Sequence, residues 1–243
     1  MKRIVVVFLG MLLGCGSDDA CLQPKGEAIT EYITLKGFHT IDIPMNVSVE
    51  LIQDNDFRLE IHSYENRINS ISHTIKDSVL HIENAVSCEL LKSYETALLK
   101  IHTPLLKKIN SRTQFKVYSQ STLTYPNLYL HTSIPNDESA SSYFDLEINN
   151  NSITVEDNQV GYFNLKGKTK LLDVQLYGAN GVVMANNLEA KQVKLYHRSN
   201  QNIHIKPINN LFGTIYSVGN AYVYNKPDTV NVVTKYKGNI IYK

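Results

Sequence analysis

The sequence predicts an all-β chain, built as a right-handed parallel β-helix whose coils of roughly twenty residues stack behind a strand-rich N-terminal cap. Three observations predict it. Short segments alternate apolar and polar residues with a period of two. In the second half, a Tyr followed by an Asn recurs at a nearly constant step. The mature chain carries no long stretch with the 3.6-residue period of an amphipathic helix.

Taken in order, the strands begin at Ile41-Asp42-Ile43, Val47-Ser48-Val49-Glu50-Leu51 and Phe57-Arg58-Leu59-Glu60-Ile61. Asp54-Asn55-Asp56 separates two of them as a turn, because Asp and Asn side chains bond their own backbone. Val79-Leu80-His81-Ile82 follows, and Ser87 to Lys92 has the composition of a single helical turn. Further strands are expected around Phe115-Lys116-Val117-Tyr118, Leu128-Tyr129-Leu130, Phe144-Asp145-Leu146 and Phe163-Asn164-Leu165.

The repeat is carried by Tyr177, Tyr196, Tyr216 and Tyr236, with Asn180, Asn200, Asn220 and Asn239 three or four places later. Val174-Gln175-Leu176, Val193-Lys194-Leu195, Gly213-Thr214-Ile215 and Val232-Val233-Thr234 precede each Tyr. Val182-Val183-Met184, Ile203-His204-Ile205, Tyr222-Val223-Tyr224 and Ile240-Ile241-Tyr242 follow each Asn. A short strand cannot bury its inward side chains alone, so successive coils stack and share one core. Equivalent residues then lie about 4.8 Å apart, and the tyrosines are expected to form one ladder. Asn is expected at the corner because it tolerates the left-handed region and can donate to the coil above.

The N-terminus reads as an address. Lys2 and Arg3 precede the apolar run Ile4 to Leu13, which is too short to span a bilayer and suits a signal peptide. Leu12-Leu13-Gly14-Cys15 resembles the bacterial lipobox, which implies cleavage before Cys15 and a lipid on its thiol. Each buried methylene contributes ~0.8 kcal/mol, so several acyl chains such as palmitate hold the membrane stably. Gly16-Ser17-Asp18-Asp19 resembles the surface-export signal of Bacteroidota lipoproteins, or is a plain solvated linker. The expected organisation is a signal peptide over 1–14, a lipidated acidic tether over 15–31 and one β domain over 32–243. The expected location is the outer membrane, facing outward.

With 243 residues, 43% hydrophobic and 19% charged, the chain is long enough to bury a core without metal or disulfides. Its formal net charge of +1 argues against nucleic acid, which needs a concentrated basic face. Cys21 and Cys88 remain after lipidation of Cys15; in an oxidising envelope they pair, or stay as two inert thiols.

No cofactor is expected. The eight His residues stand singly, without a metal-ligand spacing; His102 reads as an exposed strand residue and His204 as one that points outward. No Gly-x-Ser-x-Gly occurs. Glycan cleavage on a β-helix would need clustered carboxylates. Asp145 and Glu147 share one strand face, with Asp173 about a coil away. The tyrosine series fits either coil-on-coil packing or a strip that stacks on sugar or peptide faces. Asp77-Ser78-Val79 and Asp228-Thr229-Val230 resemble acceptors for O-glycosylation at Ser78 and Thr229.

Leu35-Lys36-Gly37-Phe38-His39-Thr40-Ile41, Asn69 through Ile82, Ile101-His102-Thr103-Pro104-Leu105-Leu106-Lys107-Lys108-Ile109 and Val218-Gly219-Asn220-Ala221-Tyr222-Val223-Tyr224-Asn225-Lys226-Pro227 carry a family resemblance. Together they resemble the head (GIN) domain of auto-transporter adhesins, common in Bacteroidota lipoproteins. Family members usually have Ser-Gly turns, where this chain has mostly Tyr and Asn. The resemblance implies a stacked β domain and brings no catalytic residues. The expected function is noncatalytic adhesion, with the membrane as partner through the lipid and a glycan or protein surface as ligand. A polysaccharide lyase or hydrolase, or a purely structural envelope lipoprotein, are the other readings.

Overall fold

The computed structural model describes residues 24–85, 96–132 and 141–243. Cys15, Cys21 and Cys88, with the signal peptide, the start of the tether and the expected helical turn at Ser87 to Lys92, lie outside the described residues. In chain order the strands are β1 (Ala28–Thr34), β2 (Thr40–Ile43), β3 (Val47–Gln53), β4 (Arg58–Tyr64), β5 (Ile71–Lys76), β6 (Val79–Asn84), β7 (Ala97–Thr103), β8 (Lys108–Ser111) and β9 (Lys116–Tyr118). They continue as β10 (Asn127–Thr132), β11 (Ser141–Asp157), β12 (Val160–Leu176), β13 (Val182–His197), β14 (Ile203–Ile215), β15 (Ala221–Val223), β16 (Thr229–Thr234) and β17 (Ile240–Tyr242). A single helical turn, α1 (Glu65–Ile68), interrupts them where the alternation breaks.

All seventeen strands found among the described residues join one curled sheet. Most pairings are parallel and link residues about one repeat apart. The four long strands β11 to β14 stack on one another in this way. Antiparallel pairs occur only toward the N-terminal end among the described residues: β1 with β4, β4 with β7, and β5 with β6. β1 starts inside the segment read as tether.

Two ladders run through the stack. One crosses β6, β2, β8 and β10 and continues through the second halves of β11 to β14 into β16. The other crosses β4, β7, β3 and β9 and continues through the first halves of β11 to β14 into β15 and β17. Strand alternation sends one residue of each pair inward. Ile41, Ile109, Leu130, Val155, Val174 and Leu195 thereby form one fully buried column. In the other ladder Phe144 stacks on Phe163 at 5.3 Å with the rings nearly parallel. Each such aliphatic or aromatic residue contributes about 1.5–3 kcal/mol by burial, shared along the stack.

The hairpin between β5 and β6 turns on Asp77 and Ser78, both with positive φ (51° and 62°). Two consecutive left-handed residues match the twist of the flanking strands. Ser78 sits exposed at that turn, and its carbonyl accepts the N–H groups of His39 and Thr40. Thr229, the other expected glycosylation residue, is exposed at the start of β16.

The asparagine corners work differently from the sequence expectation. None of Asn180, Asn200, Asn220 and Asn239 has positive φ; among non-glycine residues only Asn46, Asp77 and Ser78 do, within the described segments. The left-handed region is therefore not what selects Asn there. The side chain does bond the neighbouring strand, as an acceptor where a donor was expected: Asn220 Oδ1 accepts the Asn239 N–H at 2.9 Å, and Asn202 Oδ1 accepts the Asn220 N–H at 2.9 Å. Asn202 thus takes the place expected for Asn200, whose Oδ1 accepts Ser217 Oγ at 2.6 Å. His102 is also a correction. It is only 6% exposed, because Asp54 (3.1 Å) and Glu60 (3.0 Å) close over it with Arg58.

Candidate binding surface

The outward face of the first ladder carries a polar chain and then the tyrosines. His81 Nδ1 lies 2.8 Å from Asp42, which accepts Asn110 Nδ2 at 2.5 Å. Asn110 in turn meets His131 at 2.9 Å, and His131 reaches Glu156 at 3.4 Å. Tyr129 donates its hydroxyl to the same Glu156. Burial, and then this carboxylate, push the Tyr129 phenol upward, so it stays a donor. Burial holds His131 below the usual imidazole range.

The same row passes through Gln175 to Tyr196 and on to Thr214. Tyr177 and Tyr216 stand two residues beyond Gln175 and Thr214, so Tyr196 is not their register equivalent. Register shifts along β13, at its pairings with both β12 and β14, displace it by one outward place. Diagonal neighbours on a sheet still reach one another when the side chains are aromatic. The ring centroids of Tyr177 and Tyr196 are 4.9 Å apart, those of Tyr196 and Tyr216 4.8 Å, each tilted by 45°. The run is a zigzag with Tyr196 in the middle. Tyr177 and Tyr216 keep 41% and 39% of their surface exposed. Tyr236, 61% exposed, follows Lys235, the residue bonded to Ile215 at the edge of the sheet.

Because Tyr196 touches two rings, Tyr196→Ala is expected to cost about 1–3 kcal/mol of stability. Tyr236→Ala is expected to cost under about 0.5 kcal/mol, as for an ordinary surface change. Urea denaturation of both variants checks the contrast; equal losses would remove the packing role of the zigzag.

The carboxylates considered for glycan cleavage are spread apart. Asp145 and Glu147 lie on the first half of β11, whereas Asp173 pairs with Thr154 on its second half. Each has its own neutralising partner. Lys116 Nζ stands 2.5 Å from Asp145, Lys166 Nζ 3.4 Å from Glu147 and Lys194 Nζ 3.1 Å from Asp173. The Asp145 carboxylate holds Lys116 above the usual ammonium range. Among the described residues, no three His, Cys, Asp or Glu side chains gather as a metal site. His204 is half-buried on the outer face, between Tyr222 at 5.0 Å and Tyr224 at 5.7 Å.

Sequence reasoning missed one feature of the second ladder. Tyr143 and Tyr162 are register partners, with ring centroids 5.2 Å apart and planes at 88°. They line an open groove of about 360 Å³ with Val160, Gln114, Ser141 and Ser142. The signal was the repeated Tyr-Phe step at Tyr143-Phe144 and Tyr162-Phe163: an inward Phe preceded by an outward Tyr, twice in register.

This is an all-β domain of stacked, largely parallel strands, with outward rows of aromatic and amide side chains and no helix able to cross a membrane among the described residues. The chain belongs to the family described as "Putative auto-transporter adhesin, head GIN domain", which matches residues 37–227. A solved "putative adhesin" from Bacteroides fragilis is similar over 91% of this chain and 100% of its own, with 20% identity and a TM-score of 0.80. A "putative adhesin" from Parabacteroides merdae is similar over 90% of this chain and 97% of its own (16% identity, TM-score 0.60). A "putative lipid binding protein" from Parabacteroides distasonis is similar over 89% and 97% (13% identity, TM-score 0.57). At these identities the likeness speaks for the fold. No curated protein matches the chain.

Proposed function

We propose that this protein is a noncatalytic adhesion module, held in the outer membrane by a lipid on Cys15 and displayed outward on its acidic tether. In this reading the coils form a right-handed parallel β-helix, a stiff body that carries binding groups away from the membrane. The observation that carries the reading is the outer surface. Aromatic side chains touch from strand to strand there, Tyr143 on Tyr162 and Tyr196 on both Tyr177 and Tyr216, while the outward carboxylates Asp145, Glu147 and Asp173 are each paired with a lysine. A free acid beside a free base, which glycoside cleavage uses, is not assembled from those three. Membership of an adhesin family supports the same reading.

The test uses cells that express the full chain, compared with cells that express Cys15→Ser. Wild-type protein is expected in the membrane fraction, accessible to protease on intact cells, with those cells retained on immobilised mucin, fibronectin or collagen. Cys15→Ser is expected to release the protein and abolish retention. Wild-type protein in the soluble fraction would overturn the anchor, and equal retention of both cell types would overturn the adhesion role.

A further inference from the structure

We propose that the outer-face patch made by Tyr143, Tyr162, Asp145 and Asn164 is a sugar site that takes a neutral pyranoside, stacked on tyrosine and held through neighbouring hydroxyls by Asp145 and Asn164. This rests on the binding-module reading and names its ligand class.

The register lays out the site. Tyr143 pairs with Tyr162, and two residues further along the same strands Asp145 pairs with Asn164. Alternation puts these four on the outer face, because the intervening Phe144 and Phe163 are fully buried. The result is a small rectangle, roughly 4.8 Å across the strands and about 6.6–7 Å along them. One short side is aromatic, and the other is a carboxylate beside an amide.

A pyranose presents an apolar C–H face and a rim of hydroxyls, so it needs an aromatic surface next to fixed donors and acceptors. Both halves are present. Tyr143, Tyr162 and Val160 stay 37%, 41% and 47% exposed, side by side. With the two rings at 88°, when one presents its edge to a ligand the other presents its face. Asp145 is already oriented: one oxygen accepts Asn164 Nδ2 at 3.0 Å and the other meets Lys116 at 2.5 Å. Each carboxylate oxygen has a second lone pair, and the Asn164 amide has a second N–H. The pair can thus accept from one hydroxyl and donate to its neighbour. Lys116 and Lys166 neutralise Asp145 and Glu147, so the local charge favours an uncharged sugar over an acidic one.

The test is saturation-transfer NMR on the mature protein with methyl β-D-galactopyranoside, methyl β-D-glucopyranoside and methyl α-D-mannopyranoside as separate probes. At least one is expected to receive saturation from the tyrosine rings, concentrated on its ring C–H protons. Tyr162→Ala and Asp145→Ala are each expected to weaken that probe's binding about ten-fold, and Tyr162→Phe to restore it. Thermal melts identify any variant that fails to fold, and the other variant then decides. No transfer to any of the three, or unchanged transfer in a folded Tyr162→Ala or Asp145→Ala, overturns the site. Absence of transfer to all three sugars, with wild-type cells still retained on immobilised proteins, would sink the sugar site alone and leave the adhesion reading standing.

Discussion

Gly213→Ala is expected to destabilise the domain by about 3 kcal/mol or more, or to prevent folding outright. Gly213, half-buried, continues the register of the column that ends at Leu195, next to Leu195 on β13 and Val232 on β16. Its φ is +127°, in a region that a side chain rarely adopts, and a Cβ there would come within 2.1 Å of the Leu195 carbonyl oxygen. Two costs therefore combine: a strained backbone and a collision with a neighbouring strand that cannot retreat, because it is held by parallel pairing on both sides. Gly37 provides the internal comparison. Its added Cβ would meet only the Phe57 ring, at 3.6 Å, in ordinary contact and without positive φ. Gly37→Ala is accordingly expected to change stability by less than about 1 kcal/mol, in either direction. Denaturation midpoints of the two variants, measured side by side, decide the matter. A Gly213→Ala protein as stable as Gly37→Ala would contradict the close approach of β13 and β14.

Acidification is expected to weaken the fold between about pH 6.5 and pH 4, by a total of about 3 kcal/mol from one residue, His197. The side chain is fully buried, at the inward end of β13 between Leu176 and Ile215. Burial pushes its imidazole down to about 4. The Gly219 backbone lies against the ring and holds the shift back a little, yet neither ring nitrogen has a well-formed hydrogen bond. Between its unfolded and folded pKa values the unfolded chain binds a proton that the folded chain refuses. Stability therefore falls as pH falls through that window. Asp157, buried on the same inward face of the stack, runs the other way: burial raises its carboxyl, so the folded state takes up a proton first and gains stability on acidification. The difference between wild type and His197→Leu isolates the histidine. The Leu variant is expected to lose the histidine's acid-side decline and to match or exceed wild type near pH 7.5. Parallel stability curves for the two proteins from pH 7 to pH 4.5 would refute the assignment.

The two residues illustrate what could and could not be read in advance. His197 follows the repeated Tyr196, and local pattern alone places it beside an outward residue, hence inward. Its isolation from any partner is invisible until Leu176 and Ile215 are known to flank it. Gly213 precedes an ordinary Thr-Ile step, and nothing adjacent to it in the chain marks the collision with Leu195, eighteen positions earlier.

By itself the sequence determined the strand content, the position of most strands, the repeat of about twenty residues and the family. Period-two burial and the cost of an unshared apolar face are local or nearly local properties, and they leave their mark in residue order. It also placed Tyr177, Tyr196 and Tyr216 near one another. The tertiary structure decided the register. The shifts along β13 turn the expected column of tyrosines into a zigzag, and Asn202 takes the stacking place expected for Asn200. It also decided that Asp54, Arg58 and Glu60 enclose His102, and that Tyr143 meets Tyr162 beside Asp145 and Asn164. A one-residue insertion costs little in a sequence, yet in a stack of parallel strands it changes every lateral neighbour, so contacts between strands are fixed only when the strands pair.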